Sequence, residues 1–438
     1  MEVLPQGVTG PIGGPLGRRA AAAATTWSRV VPALLALATL PLVGAVLRQQ
    51  HCLRYGWNGD EQFWRQCFSD LPSQYQIGGL SVGLPGWLGG SVPLDQPPLT
   101  AAALAALGGL VPGGDDVSQT RWFVIYWIVV IAALLLATVW LTAATRPDRL
   151  DLAAQVALSP IIVLTALLSS DALAVALVAG AMYAWHRQGW VWTGVLLGLG
   201  VLTREYVIAV VLALLICAVR RRQVVDAMAA IGIVVTMVAV VILAAEATQP
   251  SLLTASWAQW WSGVAGYGSI WFVPAAMGAP LPVWAVRLAA IGAWVVAVAV
   301  GAAFAARAQH APTFAQTAAV IVLLGAALSP VLPVQAALWV LPLIALAAVT
   351  WRDHLIWAAV EAVHFVIIWI YIAGMNTPER GIPGHWYAWL LVVRFVTWVA
   401  LAGVVMWRAE GEADGSASRP AVVHSGDYSM SEPAVRLP

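Results

Sequence analysis

The stretch Arg121–Arg149, RWFVIYWIVVIAALLLATVWLTAATRPDR, decides the fold class. From 121 to 144 it is an apolar run, and Arg146 and Arg149 follow directly. A helix needs about 20 apolar residues to cross a bilayer. Arginines just beyond such a run mark the side on which positive charge is retained. The rest of the chain has the same character. Of 438 residues 61% are hydrophobic and only 10% charged, with mean hydropathy +0.82, which excludes an ordinary soluble domain. All 22 basic residues are arginine, the formal net charge is +1, and no basic patch interleaved with aromatics points to nucleic acid.

Working outward, apolar runs lie near 27–47, 121–144, 151–168, 171–186, 191–202, 205–219, 226–246, 284–306, 315–329, 333–350, 355–373 and 386–407. Arg146/Arg149, Arg187, Arg220–Arg222, Arg307, Arg352 and Arg408 fall after every second run. The positive-inside rule then predicts an all-α polytopic protein of the plasma membrane with about 12 transmembrane helices and both termini cytoplasmic. Residues 27–408 form the membrane domain. Residues 1–26 and 409–438 read as disordered cytoplasmic ends. This count requires that 98–112, which no basic residue follows, stay on the outer side as a re-entrant or interfacial helix. A true span there would invert every later loop. The runs 191–202 and 205–219 meet at Thr203-Arg204-Glu205-Tyr206. They are either a broken pair lining a wet or protein-filled cavity or one continuous helix with an internal Arg–Glu pair.

The long outer loop 48–120 follows the first span and gathers Asp60, Glu61, Asp70 and Asp95 between His51 and Thr100. Structureless loops of that length are uncommon unless functional. Outer carboxylates beside an intramembrane arginine suit one chemistry. Arg204 grips a lipid phosphate while a carboxylate deprotonates an acceptor hydroxyl. That is sugar transfer from a polyprenyl-phosphate donor, and no Walker or G-x-G-x-x-G motif suggests a nucleotide instead. Cys52 and Cys67, both in the loop, either close a disulfide or stand as free thiols; Cys217 reads as a small buried hydrophobe. Glu361 and His364, one turn apart, read as a buried polar contact rather than a metal pair. Arg380 and His385 in the last outer loop either touch lipid phosphate or acceptor or are surface residues. Trp257, Trp260 and Trp261 suit an interfacial helix and can also stack on sugar.

Five motifs, in order, resemble actinobacterial members of glycosyltransferase family 87. They are CFSDLP (Cys67–Pro72), DQPPLT (Asp95–Thr100), SPIIVLTALLSSDALAVAL (Ser159–Leu177), WTGVLLGLGVLTREYV (Trp192–Val207) and LSPVLPVQAALWVLPL (Leu328–Leu343). The resemblance implies a GT-C-type bundle and a mannosyltransferase-like enzyme working on the outer face. Polyprenyl-phosphate mannose is the implied donor and a glycolipid or cell-envelope glycan the acceptor. It implies Asp70 as general base, with Asp95 and Asp60 as supporting or rival acids. It places Asp171, Arg204, Glu61 and Gln335 toward donor phosphate and substrate; Arg380 and His385 join them only by their place in the last outer loop. The chain departs from the family pattern where Ser170 precedes Asp171 instead of an aromatic, and where Arg204 replaces lysine. Val207 replaces proline, and PVQAALW lacks the family's tyrosine. Asp70 and Asp171 can alternatively cap the helices that follow them, and Asp60-Glu61 can be a solvated pair. A divalent ion shared by Asp60, Asp70 or Asp95 is compatible with the acids, but no spacing demands it and no metal ligand is assigned. A lipid or sugar transporter or flippase, which would place its charges near the midplane, is the alternative function, and a non-catalytic scaffold a third.

Overall fold

The computed structural model describes residues 23–90, 96–248 and 262–417, and no strand occurs among them. The first five helices are α1 (Ala23–Tyr55), α2 (Glu61–Trp64), α3 (Asp70–Ile77), α4 (Gly83–Leu88) and α5 (Pro98–Gly108). Next come α6 (Asp116–Thr145), α7 (Leu150–Ala157), α8 (Pro160–Thr165), α9 (Ala172–His186), α10 (Trp190–Val201), α11 (Tyr206–Arg221) and α12 (Val224–Thr248). The last six are α13 (Val273–Ala276), α14 (Val283–Arg307), α15 (Phe314–Leu328), α16 (Ala336–Leu346), α17 (Trp351–Gly374) and α18 (Gly384–Ala417).

An all-helical chain follows from its solvent. In hydrocarbon each backbone N–H and C=O must be satisfied within its own segment, which a helix does. Among the described residues six helices are long and apolar enough to cross a membrane: Trp27–Tyr55, Asp116–Thr145, Val224–Ala247, Val283–Arg307, Trp351–Gly374 and Gly384–Glu410. Their most apolar windows are only 17–39% buried, so they form the wall. Two of the shorter apolar helices do the reverse. Every residue of α16 is buried, and in α15 only Leu328 is not. Close packing inside uses small residues, as in membrane helix pairs generally. A Cβ on Gly194 of α10 would come 2.6 Å from the Ala230 carbonyl oxygen of α12.

The elements alternate between two ends of the bundle. One end gathers Thr145, Arg146, His186, Arg221 and Thr313 around a cavity, and Arg408 reaches Asp353 at 3.2 Å. The other end carries the 56–115 connection. Arg121 Nε donates to the Leu53 carbonyl at 2.6 Å, so α6 starts beside the end of α1 and the connection leaves and returns at one end. Within it α5 turns back on the loop itself. Gly83, at φ +68°, meets Gly109 backbone to backbone, with no room for a Cβ on either. The runs 191–202 and 205–219 are two helices, α10 and α11, not one continuous helix. Thr203 Oγ1 and Arg204 N both bond the Gly200 carbonyl, at 2.6 and 3.0 Å, and turn the chain back toward the arginine end.

The open question of the loop thiols resolves to a disulfide, Cys52–Cys67, with Cα atoms 5.9 Å apart. Trp57 caps it by donating Nε1 to the Cys67 carbonyl at 3.0 Å. Closing this loop contributes about 3 kcal/mol by chain entropy. Alkylation of the denatured, unreduced chain is therefore expected to label Cys217 alone, and all three cysteines after reduction. Three labels without reduction would refute the bridge.

Candidate functional site

At the connection end, helices stop inside the protein rather than at its surface. Breaks lie between α8 and α9, α10 and α11, and α15 and α16. Helix ends leave carbonyls with no intrahelical partner, and here Ser169, Ser170, Asp171, Thr203 and Ser329 are buried with them. Other segments supply the donors. Asp70 N and Ser69 Oγ reach the Leu168 carbonyl at 2.7 and 3.2 Å. Leu99 N bonds Leu202 O and Thr100 Oγ1 bonds Thr203 O, both at 2.9 Å. Gly266 N reaches Pro330 O at 2.9 Å and Ser269 Oγ reaches Ser329 O at 2.7 Å.

Asp171 sits at the centre, 1% exposed. Arg204 Nε donates to its Oδ1 at 2.6 Å and Nη2 lies 2.5 Å from the same atom. Trp339 Nε1 donates to Oδ2 at 2.5 Å. Trp339 in turn stacks on Tyr206, ring centroids 4.7 Å apart and planes 6° off parallel. Asp171 occupies the position before α9 but makes no capping bond; its oxygens serve the arginine and the indole. The aromatic that meets Asp171 comes from α16. Arg204 pairs with Asp171, and its side chain keeps 15% exposure.

Asp70 opens α3 and is half-buried, while Ser69 is the residue that caps, accepting from Leu71 N at 3.3 Å. Its Oδ2 accepts from Gln335 Nε2 at 3.4 Å, and its charge is within electrostatic reach of Arg204. Asp70, Asp171, Arg204 and Gln335 therefore come together. Asp60, Glu61 and Arg380 gather elsewhere, at the end of α17. Asp60 accepts from Asn376 Nδ2 at 2.8 and 3.0 Å. Glu61 pairs with Arg65 at 2.7 Å, which holds its carboxyl below the usual range. Arg380 lies over the Trp64 ring at 4.7 Å, and His385 is exposed. Asp95, Trp257, Trp260 and Trp261 lie outside the described residues. Among the described residues no three His, Cys, Asp or Glu side chains gather as metal ligands.

Sequence reasoning missed Arg394. Fully buried in α18, it donates to both Glu361 oxygens at 2.8 and 2.9 Å. It also donates to the carbonyls of Gly268, Leu332 and Pro333, at 2.8, 3.3 and 3.3 Å. Those carbonyls flank the break that presents Gln335. The contact expected between Glu361 and His364 is not made: Glu361 bonds Arg394 and accepts from Trp398 Nε1 at 2.6 Å instead. His364 makes no hydrogen bond from either ring nitrogen. The available signal was an arginine in the middle of one apolar run facing a glutamate in the middle of the run before it.

Comparison with family models, with curated proteins and with solved structures finds no match to this chain.

Breaking a buried pair from one side strands the other charge, at about 3–5 kcal/mol. Asp171→Asn is accordingly expected to lower the thermal midpoint sharply, and Asp171→Asn with Arg204→Met to recover part of the loss. Equal midpoints for wild type and Asp171→Asn would show that the pair contributes no stability.

Proposed function

We propose that the chain is a membrane glycosyltransferase that moves a sugar, mannose by the family resemblance, from a polyprenyl-phosphate donor to a glycolipid or envelope glycan. In this reading about twelve helices cross the plasma membrane, both termini are cytoplasmic, and the connection end faces outward. The observation that carries it is a half-buried carboxylate, Asp70, held by Gln335 beside an arginine whose geometry Asp171 locks. Asp70 takes the proton of the acceptor hydroxyl as that oxygen attacks the anomeric carbon. The bond from that carbon to the phosphate oxygen breaks, and the lipid phosphate leaves with the electron pair. Arg204 stabilises the charge that develops there.

Formal charge sharpens the assignment. Asp70, Asp171 and Arg204 sum to −1, so an anionic donor needs further positive charge. Arg380, the other arginine considered for the donor phosphate, lies over Trp64 in the separate group at the end of α17.

Removing a general base costs about 10²–10⁴-fold in rate. Membranes carrying folded Asp70→Asn are expected to lose the glycolipid product by that factor, read by mass spectrometry. Full activity would remove Asp70 from the base role, and unchanged activity in Arg204→Lys would remove the bidentate phosphate contact. Movement of the donor lipid between leaflets with no glycosylated product would favour the flippase.

A further inference from the structure

A second site lies at the opposite end of the bundle, among the arginines. A cavity of about 300 Å³ is lined by Thr145 and Arg146 from the end of α6, Met182 and His186 of α9, Arg221 of α11, and residues 313–315 and 346. That volume reaches the range of small-molecule pockets. No acidic side chain lines it. Arg146 donates Nε and Nη2 to the two Asp148 oxygens at 3.1 and 3.0 Å, a bidentate pair whose carboxylate is 63% exposed. Arg221 uses Nε and Nη2 on the Pro312 and Ala311 carbonyls, both at 2.9 Å. Those bonds fix the guanidinium in place without a carboxylate to neutralise it. The first turn of α15 forms another wall, its start set by a Thr313–Gln316 capping box, so the positive end of a helix dipole adds to the two arginines. The remaining walls, Met182, Phe314, Ala315 and Leu346, are apolar.

Fixed positive charge at the rim of an apolar cavity between membrane helices selects an amphiphilic anion. We infer that this cavity binds a phosphate group, with Arg221 and Arg146 as its ligands. Basic pockets of this kind between helices receive the headgroups of acidic phospholipids. A free phosphate presents the same chemistry without the acyl chains. The site is separate from Asp70 and holds whatever the catalytic reading becomes.

The test uses the full chain in nanodiscs of phosphatidylcholine with and without phosphatidylglycerol, retained lipid being counted by native mass spectrometry. Inorganic phosphate, titrated against chloride in phosphatidylcholine discs, is read as thermal protection. Phosphatidylglycerol is expected to be retained over phosphatidylcholine, about fivefold less for each arginine removed in Arg146→Gln and Arg221→Gln. It should also be lost in Ala315→Phe, which fills the cavity and keeps both arginines. Phosphate protection without lipid preference, abolished by Ala315→Phe, assigns the site to free phosphate. Should Ala315→Phe lower the thermal midpoint in phosphatidylcholine, the surface variant Arg146→Gln decides. The inference is overturned if neither ligand exceeds its control, or if binding ignores the deciding variant.

Discussion

A helix that ends inside an apolar protein must have its last carbonyls bonded by something, and much of the connection end of this chain follows from that requirement. A buried unsatisfied carbonyl or amide costs about 1–3 kcal/mol, and three breaks multiply the demand. The donors come from segments far away in sequence: residues 69–70, 99–100 and 266–269, and the guanidinium of Arg394. The connection after α1 is therefore bound to the bundle by the same hydrogen bonds that complete its interior. Gly268 shows how tight this fit is, since a Cβ there would collide with both the Leu332 carbonyl and the Arg394 guanidinium.

Two buried ion pairs among the described residues repeat one design. Arg204 with Asp171, and Arg394 with Glu361, each join an arginine to a carboxylate that also accepts a tryptophan Nε1–H, from Trp339 and Trp398. A buried pair stands only if the remaining lone pairs are satisfied, and an indole is a donor that brings no further charge. The pairs differ in exposure. Arg394 is sealed at 0%, whereas Arg204 keeps 15%. The first is a clamp on backbone. The second retains an exposed edge.

The membrane class was legible because hydropathy depends on composition, which the chain reports residue by residue. The number of long helices was not, since a short buried helix and a short span carry the same apolar run. Six wall helices stand out among the described residues, while α15 and α16 look no different in sequence yet lie inside, all but Leu328 buried. Around the site, the pairing of residues as distant as Asp171 and Trp339 depends on packing, so local spacing could not reveal it. Asp60 and Asp70 are neighbours in sequence, but one bonds Asn376 and the other Gln335. A cluster of acids along a loop is not a cluster in space.

What delivers Asp70 to its place is covalent as well as hydrogen-bonded. The bridge fixes Cys67 to Cys52 on the last turns of α1, and Trp57 closes over the joint with its N–H on the Cys67 carbonyl. Arg48, a turn earlier, bonds Gln66 O at 2.5 Å and Val163 O at 3.2 Å, tying the same strip of loop to α8. Only two residues separate Cys67 from Asp70, so the strip has little freedom left before Ser69 and Asp70 meet Leu168. As the base proposed above, Asp70 would need such restraint, because small misplacements are costly in rate. The oxidised pair thus belongs to the placement of Asp70 as much as to the stability of the loop.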